Sequence, residues 1–508
     1  MSQEIKNVTL GAPGFFGLNT EDSLTSVDPS FASRADNCVI DRYGRIGARR
    51  GFNTVTAYGL DELGGERLDY VHYFEDQLGN NEVFGFANNK VLQMTTTDDP
   101  LDTITDVTPA SYTITTDNWT TSNFNDKCYF FNKGLEPLYY DNATAAVTKL
   151  GATVPKGGIG YAAFGRMWIT DVTDEGSMLY WSDLLNPSNF SGGSSGSIDL
   201  TTVWPDGFDQ VTGIATASDR LIIFGRNNIL VYVGAESPAT MEIDDTVSGV
   251  GCISHNSIQE TGNDLVFLST TGVRSLGRTI TQNSLPIADL SNNVRRDLLN
   301  LLLSEDATSI DSVYSPEFAF YLLILRNTGV TYCFDMRQTL EDGTRRVTRW
   351  PGSPFVTMQR DSADGTLYCG GLAGLGTYAG FLDDGESYDL AYFSPFLTFG
   401  DIARTKMIKK LRPTMIAGNA LFATVLWGYG YGNSYTSEVI PLEQGSPAFY
   451  GEGEYGEDEY TGGITLTDRA VNANGNGTVV TVGVQVEIIG APFSLQELNV
   501  QTLVGRLI

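Results

Sequence analysis

Histidine and cysteine are scarce in this 508-residue chain, which limits the chemistry that it can perform. The two histidines, His72 and His255, lie in the strand-like runs DYVHYF and CISHNSI, a setting that favours structural roles. Cys252 lies three residues before His255, and a strand would place the two side chains on opposite faces. With 61 acidic residues some carboxylate pair always suits glycoside hydrolysis, so such spacing is uninformative. We therefore expect a protein that is not an enzyme and needs no cofactor.

The few cysteines are scattered along the chain, odd in number and never spaced as C-x-x-C. This pattern indicates neither a disulfide framework nor a zinc site. We expect them to be buried as small apolar residues. They are Cys38, Cys128, Cys252, Cys333 and Cys369.

Positive charge is also scarce, since 32 basic residues face 61 acidic ones and leave a formal net charge of −29. Such a balance opposes general affinity for the phosphate backbone of nucleic acid. No apolar run approaches the roughly 20 residues of a membrane span. The opening residues MSQEIKNVTLGAPG lack the basic and apolar regions of a signal peptide. We expect synthesis in the cytoplasm and no membrane segment.

Sequence patterns typical of β-hairpins are abundant in this chain. From about residue 68 to residue 382, short β-branched or aromatic runs alternate with Gly, Asn and Asp turns. Equivalent points recur every 40 to 55 residues or so, about the spacing of a four-stranded propeller blade. The sequence predicts an all-β fold, a β-propeller of six or seven blades at 56–400. The runs include NEVFGFANNKVLQM (81–94), DKCYFFNKGLEPLYYD (126–141), DRLIIFGRNNILVYVG (219–234) and FAFYLLILRNTGVTYCFD (318–335).

Helix signals are few and short. Asp28 followed by Pro29 predicts a helix over residues 28–37, with Phe31, Ala32 and Ala35 on one face. Ser291 is predicted to cap a second helix, either a packing element on the rim or a contact to a neighbouring subunit. Its apolar stripe would be Val294, Leu298, Leu301 and Leu302.

The repeated hairpin pattern ends at about residue 400, which predicts a separate C-terminal β-domain at 401–508. GTVVTVGVQVEIIG (477–490) is an alternating strand, whereas SPAFYGEGEYGEDEYTGG (446–463) is a loop without a core pattern. A basic cluster precedes them and is either a solvated strand or an interface for an acidic neighbour or DNA. The cluster consists of Arg404, Lys406, Lys409, Lys410 and Arg412.

Two short motifs resemble binding loops but favour hairpin turns. RDSADGTLY, with Asp361, Asp364 and Gly365, is similar to a sialidase Asp box or a loose calcium loop, yet the ligand spacing is incomplete. GGLAGLG (370–376) misses the G-x-G-x-x-G spacing, and no helix pattern follows it.

Residues 17–52, GLNTEDSLTSVDPSFASRADNCVIDRYGRIGARRGF, resemble the opening of tail nozzle proteins of short-tailed (podovirus-type) bacteriophages. These are also called tail tubular B or packaged-DNA stabilisation proteins. The end, PFSLQELNVQTLVGRLI (492–508), is similar to the same family, while the middle resembles it only in texture. The matching positions of the opening are Gly17, Asn19, Thr20, Asp22, Ala35, Asn37, Ile40, Asp41, Gly44, Arg45, Arg49, Gly51 and Phe52.

The resemblance implies a structural subunit of the virion tail, assembled in the host cytoplasm as a homo-hexameric tube below the tail adaptor ring. Tail fibres or spikes are a further option as partners. The tube would retain the packaged genome and conduct it during ejection, and double-stranded DNA would pass an acidic lumen without specific binding. The alternative is a carbohydrate-binding or carbohydrate-cleaving β-propeller, similar to a tailspike or a lectin; a bacterial propeller scaffold unrelated to phage is a third possibility.

Two sets of residues are candidates for contacts in such an assembly. The segment at 1–55 is predicted to dock onto the adaptor or another subunit through its turns and its crowded arginines; alternatively, it is a strand that completes the propeller. The acidic loop is a candidate gate. The docking residues are Asn19, Asp22, Arg42, Arg45, Arg49 and Arg50, and the gate residues are Glu452, Glu454, Tyr455, Glu457, Asp458, Glu459 and Tyr460.

Overall fold

A computed structural model describes residues 4–56, 58–94, 103–205, 207–262, 264–281, 289–418, 421–432, 434–442 and 465–507. Strands account for 52% of the residues and helices for 7%, so the chain is all-β as predicted. Seven short strands precede residue 55. They are β1 Glu4–Gly11, β2 Gly17–Leu18, β3 Phe31–Ala32, β4 Arg34–Asp36, β5 Cys38–Ile40, β6 Ile46–Ala48 and β7 Gly51–Thr54.

The helix predicted over residues 28–37 is wrong. The Asp28 carboxylate accepts a hydrogen bond from the backbone N–H of Ser30 at 2.8 Å, so it stabilises a turn instead of a helix start. β3 then pairs in parallel with β2, and Ala35 lies opposite Tyr392 in a sheet. These long-range pairings bury the apolar residues that a helix was expected to bury.

The middle of the chain consists of consecutive antiparallel sheets. Sheets 1 to 4 have four strands each, β8 to β11, β12 to β15, β16 to β19 and β20 to β23. Their strands are β8 Tyr70–Glu75, β9 Asn81–Ala87, β10 Lys90–Met94, β11 Ile104–Asp106, β12 Thr120–Phe124, β13 Lys127–Phe131, β14 Leu138–Asp141, β15 Ala146–Lys149, β16 Gly157–Ala163, β17 Arg166–Val172, β18 Met178–Trp181, β19 Gly196–Asp199, β20 Val211–Ala217, β21 Arg220–Gly225, β22 Asn228–Val233 and β23 Glu242–Ser248.

Three further sheets follow. Sheet 5 has β24 to β26, sheet 6 is the β27 to β30 part of an 11-stranded sheet, and sheet 7 has β31 to β33 with β7 as its fourth strand. Their strands are β24 Gln259–Glu260, β25 Leu265–Ser269, β26 Gly272–Ser275, β27 Ile310–Ser315, β28 Phe320–Leu325, β29 Val330–Thr339, β30 Arg345–Pro351, β31 Thr357–Arg360, β32 Leu367–Gly371 and β33 Gly374–Ala379.

Local turn chemistry explains why these strands fold back on themselves. The hairpins β9–β10, β12–β13 and β20–β21 each turn through two residues with positive φ, at positions 88–89, 125–126 and 218–219. Such turns match the right-handed twist of the strands, and Asn and Asp tolerate the left-handed conformation best. The Asn-rich and Asp-rich turns of the sequence therefore set the register of the hairpins.

Hydrogen bonds and ring contacts join the seven sheets, together with the residues that lead into them, in a closed cycle, which we call the ring. Sheet 7 meets sheet 1 where the backbone N–H of Leu68 donates to the Gly371 carbonyl at 3.1 Å, and the Tyr73 and Tyr368 rings stack. β7 supplies the fourth strand of sheet 7, pairing Phe52 with Tyr378, so a strand from before the ring closes it. The other junctions, in order from sheet 1, are His72–Asn123, Thr120–Gly158, Tyr161–Thr216, Thr212–Cys252, Gln259–Ser312 and Asp311–Met358.

The two chain ends share a terminal domain, which consists of β1, β4 to β6 and the strands after the ring. In one sheet the order is β38-β35-β40-β6-β5, with β1 also on β40; in the other β4-β34-β39-β36-β37 continues from β30 of sheet 6. The late strands are β34 Tyr388–Phe393, β35 Arg404–Ala417, β36 Phe422–Tyr429, β37 Tyr435–Pro441, β38 Thr465–Asp468, β39 Val480–Ile488 and β40 Phe493–Leu507.

Strand pairing crosses both predicted domain boundaries. β7 lies within the predicted docking segment 1–55 but belongs to sheet 7, and β34 lies before residue 401 but pairs with β39. One core fills the terminal domain, includes Leu10, Ile46 and Val482, and continues into sheets 5 and 6 of the ring. The N-terminal segment is therefore part of the two larger units.

Two α-helices, α1 Leu276–Thr281 and α2 Arg295–Leu302, lie between sheets 5 and 6. The predicted second helix is confirmed as α2, with Val294 and Leu298 buried against the core. Ser291 lies at the N-cap of the 3-10 turn that leads into α2, but its hydroxyl accepts from the backbone N–H of Val273 at 2.9 Å instead of from the turn. Short 3-10 turns are found at Leu60–Leu63, Leu200–Thr202, Pro238–Thr240, His255–Ser257 and Asn292–Val294.

Candidate docking cleft

A cleft of about 610 Å³ lies where the β5–β6 hairpin meets sheets 6 and 7 and the start of β40. Aromatic side chains form one part of its wall, and four arginines and three acids line the rest. The aromatic residues are Tyr43, Phe318, Phe320, Tyr378, Phe381 and Phe493; the charged ones are Arg42, Arg50, Arg337, Arg346, Asp41, Glu317 and Asp335. With four cations against three anions, the cleft is slightly positive in a strongly acidic chain.

Two arginines of the cleft, Arg42 and Arg50, can still form an ion pair with a partner. Both are exposed, and neither forms an ion pair within the described part of the chain. The Arg42 guanidinium lies 4.7 Å from the centre of the Tyr43 ring, and that of Arg50 lies 4.5 Å from the Phe381 ring. Arg42 also donates one hydrogen bond to the Tyr43 hydroxyl at 2.7 Å. An aromatic face holds an arginine in place without neutralising its charge, so the remaining N–H groups can meet a carboxylate.

Arg337 and Arg346 were not singled out in the sequence, yet they line the same cleft. Both bind Asp335, Arg346 in a fully buried pair, and Arg337 also donates to the Ile40 carbonyl at 3.0 Å. Both are engaged with this one carboxylate, so they support the wall, and Arg337 ties β29 to β5. Arg337 lies two residues after Asp335 on β29, whereas the β29–β30 pairing places Arg346 opposite Asp335, so no periodic pattern in the sequence marked the two arginines together.

Arg49, a predicted docking residue, is buried with 1% of its side chain exposed. Its guanidinium donates to both Asp383 carboxylate oxygens, at 2.6 and 2.8 Å, and lies 4.0 Å from the Tyr388 ring. It also donates to Asn37 at 3.1 Å. This burial corrects the docking role predicted for Arg49, because no face of the side chain can meet a partner.

Arg45, Asn19 and Asp22 are also engaged within the chain. Arg45 pairs with Asp41 at 2.8 Å and lies over Tyr43. The buried Asn19 side chain accepts from the backbone of Glu21 and Asp22 at 3.1 and 3.0 Å and donates to the Asp22 carboxylate at 2.9 Å. The predicted side-chain-capped turn is confirmed, but it lies outside the cleft.

The basic cluster on β35 does not form one positive patch. Lys406 is fully buried and donates to the Asp401 carbonyl, and burial lowers the pKa of its amine. Arg404 pairs with Asp401 at 3.1 Å, and Arg412 makes two bonds to Asp468, at 2.5 and 2.6 Å. Lys409 and Lys410 are exposed and have no carboxylate partner among the described residues. The β-bulge between Ile408 and Lys410 explains why two successive lysines face outwards.

The remaining motifs fold as structural elements. Burial raises the pKa of the Cys252 thiol to about 11 and lowers that of His255 to about 4, so both groups are neutral at pH 7 and form no thiolate–imidazolium pair. All five cysteines are buried, as predicted. Asp361 begins the hairpin turn between β31 and β32, and the glycine run is the β32–β33 hairpin.

The candidate gate, residues 452 to 460, lies outside the described residues. Within the ranges that the structure describes, no group of three or more His, Cys, Asp or Glu side chains could hold a metal ion. No helix in those ranges is both long and apolar enough to cross a bilayer.

Comparisons with known proteins leave the family open. No protein-family model matches the chain, and no curated protein matches it. Among solved structures, the chain is similar to PorZ, described as an essential bacterial surface component of the type IX secretion system of Porphyromonas gingivalis. The TM-score is 0.37 at 14% identity, over 83% of this chain and 46% of that one. The chain thus spans less than half of the structure that it matches.

Proposed function

We propose that the seven sheets of the ring are the blades of a seven-bladed β-propeller. Its support is the closed cycle of contacts between sheets and the closure of sheet 7 by β7. An isolated hairpin is marginally stable, whereas a closed ring buries both faces of every sheet and protects its edges.

The propeller and the terminal domain together would form one subunit of the nozzle of a short-tailed phage. One observation carries this proposal: the two segments that resemble the family meet in one sheet. Ser494 and Leu495 of the closing segment pair with Gly47 and Ile46 of the opening segment. Residues that are far apart in the sequence but similar to one family thus build one structural element, the wall of the docking cleft.

Arg42 and Arg50 would then bind an acidic partner, either the adaptor ring or a neighbouring subunit. Their guanidinium groups are exposed, stacked on aromatic rings and without an ion pair among the described residues. Elsewhere the chain is strongly acidic, with a net charge of −29. In a hexamer this charge would repel DNA from the channel wall and let it pass without specific binding.

Electron microscopy of the full-length protein, mixed with the portal and adaptor proteins encoded beside its gene, tests this function. We expect rings with six-fold symmetry that extend the portal–adaptor complex. A chain that stays monomeric and does not join the complex would contradict the proposal. Gene neighbours that include no portal or capsid protein would contradict it as well.

A further inference from the structure

The chain leaves the described residues after Leu442 and returns at Thr465, and both points lie near the docking cleft. The backbone N–H of Leu442 donates to the Leu421 carbonyl at 3.0 Å. The backbone N–H of Gly418, three residues before Leu421, donates to the carbonyl of Pro492 at 2.9 Å, and Pro492 lines the cleft. Three residues span at most about 11 Å. The intervening chain therefore begins close to the cleft wall.

At the return point, a row of cross-strand neighbours leads to the cleft. The row begins at Leu466, which is 56% exposed, and ends at Val39, which lines the cleft. Directly opposite residues of antiparallel strands share a face of the sheet. Their neighbours in sequence, such as Ile46 and Leu495, are buried in the core, so the row lies on the outer face. Four strand spacings make it about 19 Å long. The row consists of Leu466, Ile416, Ser494, Gly47 and Val39.

A smaller cavity, of about 370 Å³, lies along this row. It shares three lining residues with the docking cleft, Pro492, Phe493 and Ser494. The 22 residues at 443–464, which we call the acidic segment, extend at most about 73 Å. Half of that length, about 36 Å, exceeds the row of about 19 Å. The acidic segment is therefore long enough to enter the cleft and return.

The composition of the acidic segment complements the cleft. It has six acids, four aromatic residues and no lysine or arginine. All three acids that line the cleft already pair with arginines, whereas Arg42 and Arg50 have no ion pair among the described residues. Carboxylates are the preferred partners of such arginines, and tyrosine packs well in an aromatic and arginine-rich interface. The acids are Glu443, Glu452, Glu454, Glu457, Asp458 and Glu459, and the aromatic residues are Phe449, Tyr450, Tyr455 and Tyr460.

We propose that the acidic segment binds the docking cleft of its own chain, with its carboxylates on Arg42 and Arg50. The tether favours this occupant, because a short linker gives an effective concentration on the order of millimolar, which a separate copy would have to reach in solution. An acidic partner must then displace the segment, a consequence that rests on the proposed function. Docking within one chain needs no partner, so its failure leaves the nozzle proposal standing, and a failed assembly leaves the docking standing.

A fluorescent peptide of residues 446–463, titrated into the full-length chain at low salt, tests whether the cleft is occupied. In one variant the acids at 452–459 are replaced by Gln or Asn. This variant should bind the peptide about tenfold or more tightly than the unmodified chain, because its own segment no longer competes. Adding Arg42→Ala with Arg50→Ala should abolish the gain.

Lys409→Ala with Lys410→Ala is the matched control, because it removes the same charge from exposed, unpaired lysines on β35. It should leave the gain intact. The proposal is overturned if no variant binds the peptide, if neutralising the acids gives no gain, or if the two double variants reduce the gain equally.

Cleavage by a glutamate-specific protease separates an intramolecular from an intermolecular contact. Cuts within the acidic segment should be about fivefold or more faster in Arg42→Ala with Arg50→Ala than in the unmodified chain, since cleavage follows the population of the undocked form. The ratio should be the same at every protein concentration, and thermal melting checks that the variant folds. Equal cleavage rates overturn the proposal. Protection that increases with protein concentration also overturns it, because the occupant is then a second copy.

Discussion

The ring and the terminal domain use β-strands in opposite ways. In sheets 1 to 4 every strand pairs with its neighbours in sequence, whereas in the terminal domain β1 pairs with β40, placing Gly11 opposite Glu497. Local pairing closes short loops, and pairing of the chain ends closes very long ones, which is slower and entropically costlier. β7 joins the ring and β6 joins the terminal domain, so the two residues between these strands, Arg49 and Arg50, form a coupling segment between the units, beside the β30–β4 pairing of the shared sheet.

Arg49 lies in this coupling segment, and its removal should have the largest effect. Arg49→Met leaves the Asp383 carboxylate partly buried without its partner, which costs about 3 to 5 kcal/mol of unfolding free energy. Urea unfolding measures this loss.

Arg50→Met is the control for Arg49→Met, because the neighbouring arginine is exposed and unpaired among the described residues. It should change the unfolding free energy by no more than about 0.5 kcal/mol. Equal effects of the two substitutions would show that the buried ion pair does not couple the ring to the terminal domain.

Acid should weaken the ring through His72, which bridges sheets 1 and 2. His72 lies 2.7 Å from the Thr121 hydroxyl and 2.8 Å from Asn123 Oδ1, and burial lowers its pKa from 6.5 to about 4. The unfolded chain therefore binds a proton at higher pH than the native chain does. The stabilisation is complete above pH 6.5 and decreases by up to about 3 kcal/mol as the pH falls to 4.

Unfolding free energies at several pH values, with His72→Gln as the non-titrating reference, isolate this contribution. The difference between the two proteins should change between pH 6.5 and 4 and stay constant above. Hydrogen exchange should show sheets 1 and 2 losing protection before β35 and β40. A pH-independent difference would contradict the prediction.

The same contrast explains what the sequence could predict. Asn-rich and Asp-rich turns between β-branched runs revealed the ring hairpins, because the interactions that form them lie within about ten residues. The terminal domain was predicted only at 401–508, because nothing local in the first 48 residues shows that β1 and β4 to β6 pair with distant strands. The false helix over residues 28–37 has the same cause: Phe31 and Ala35 are buried by residues that no local window contains.

The candidate docking residues likewise depend on distant contacts that the sequence does not show. Four arginines lie close together in the sequence, and nothing local distinguishes them. In the structure Arg49 is buried and Arg45 pairs with Asp41, whereas Arg42 and Arg50 are exposed. Whether an arginine faces a partner depends on which distant carboxylate reaches it, Asp383 in the case of Arg49.

Asn19 tests a local contact away from the coupling segment, in the turn that follows β2. Asn19→Ala removes three hydrogen bonds and leaves the N–H groups of Glu21 and Asp22 without their acceptor. We expect a loss of about 2 kcal/mol, measured by urea unfolding. Asp22→Ala removes only the bond to the amide and should cost about half as much. A loss as large as that of Arg49→Met would mean that this turn contributes as much to stability as the buried Arg49–Asp383 ion pair does.

Arg42 and Arg50 should have the smallest effect on folding and a clear effect on binding. Because both side chains are exposed, Arg42→Glu with Arg50→Glu should change the unfolding free energy by about 0.5 kcal/mol or less. Binding to an acidic partner such as the adaptor complex should weaken about tenfold or more, and added salt should reduce the difference. The matched control is Lys409→Glu with Lys410→Glu, which changes the net charge equally on the exposed side of β35. If both double variants lose the same affinity, the net charge and not the cleft attracts the partner; a loss confined to the arginines places the contact where the ring meets the terminal domain.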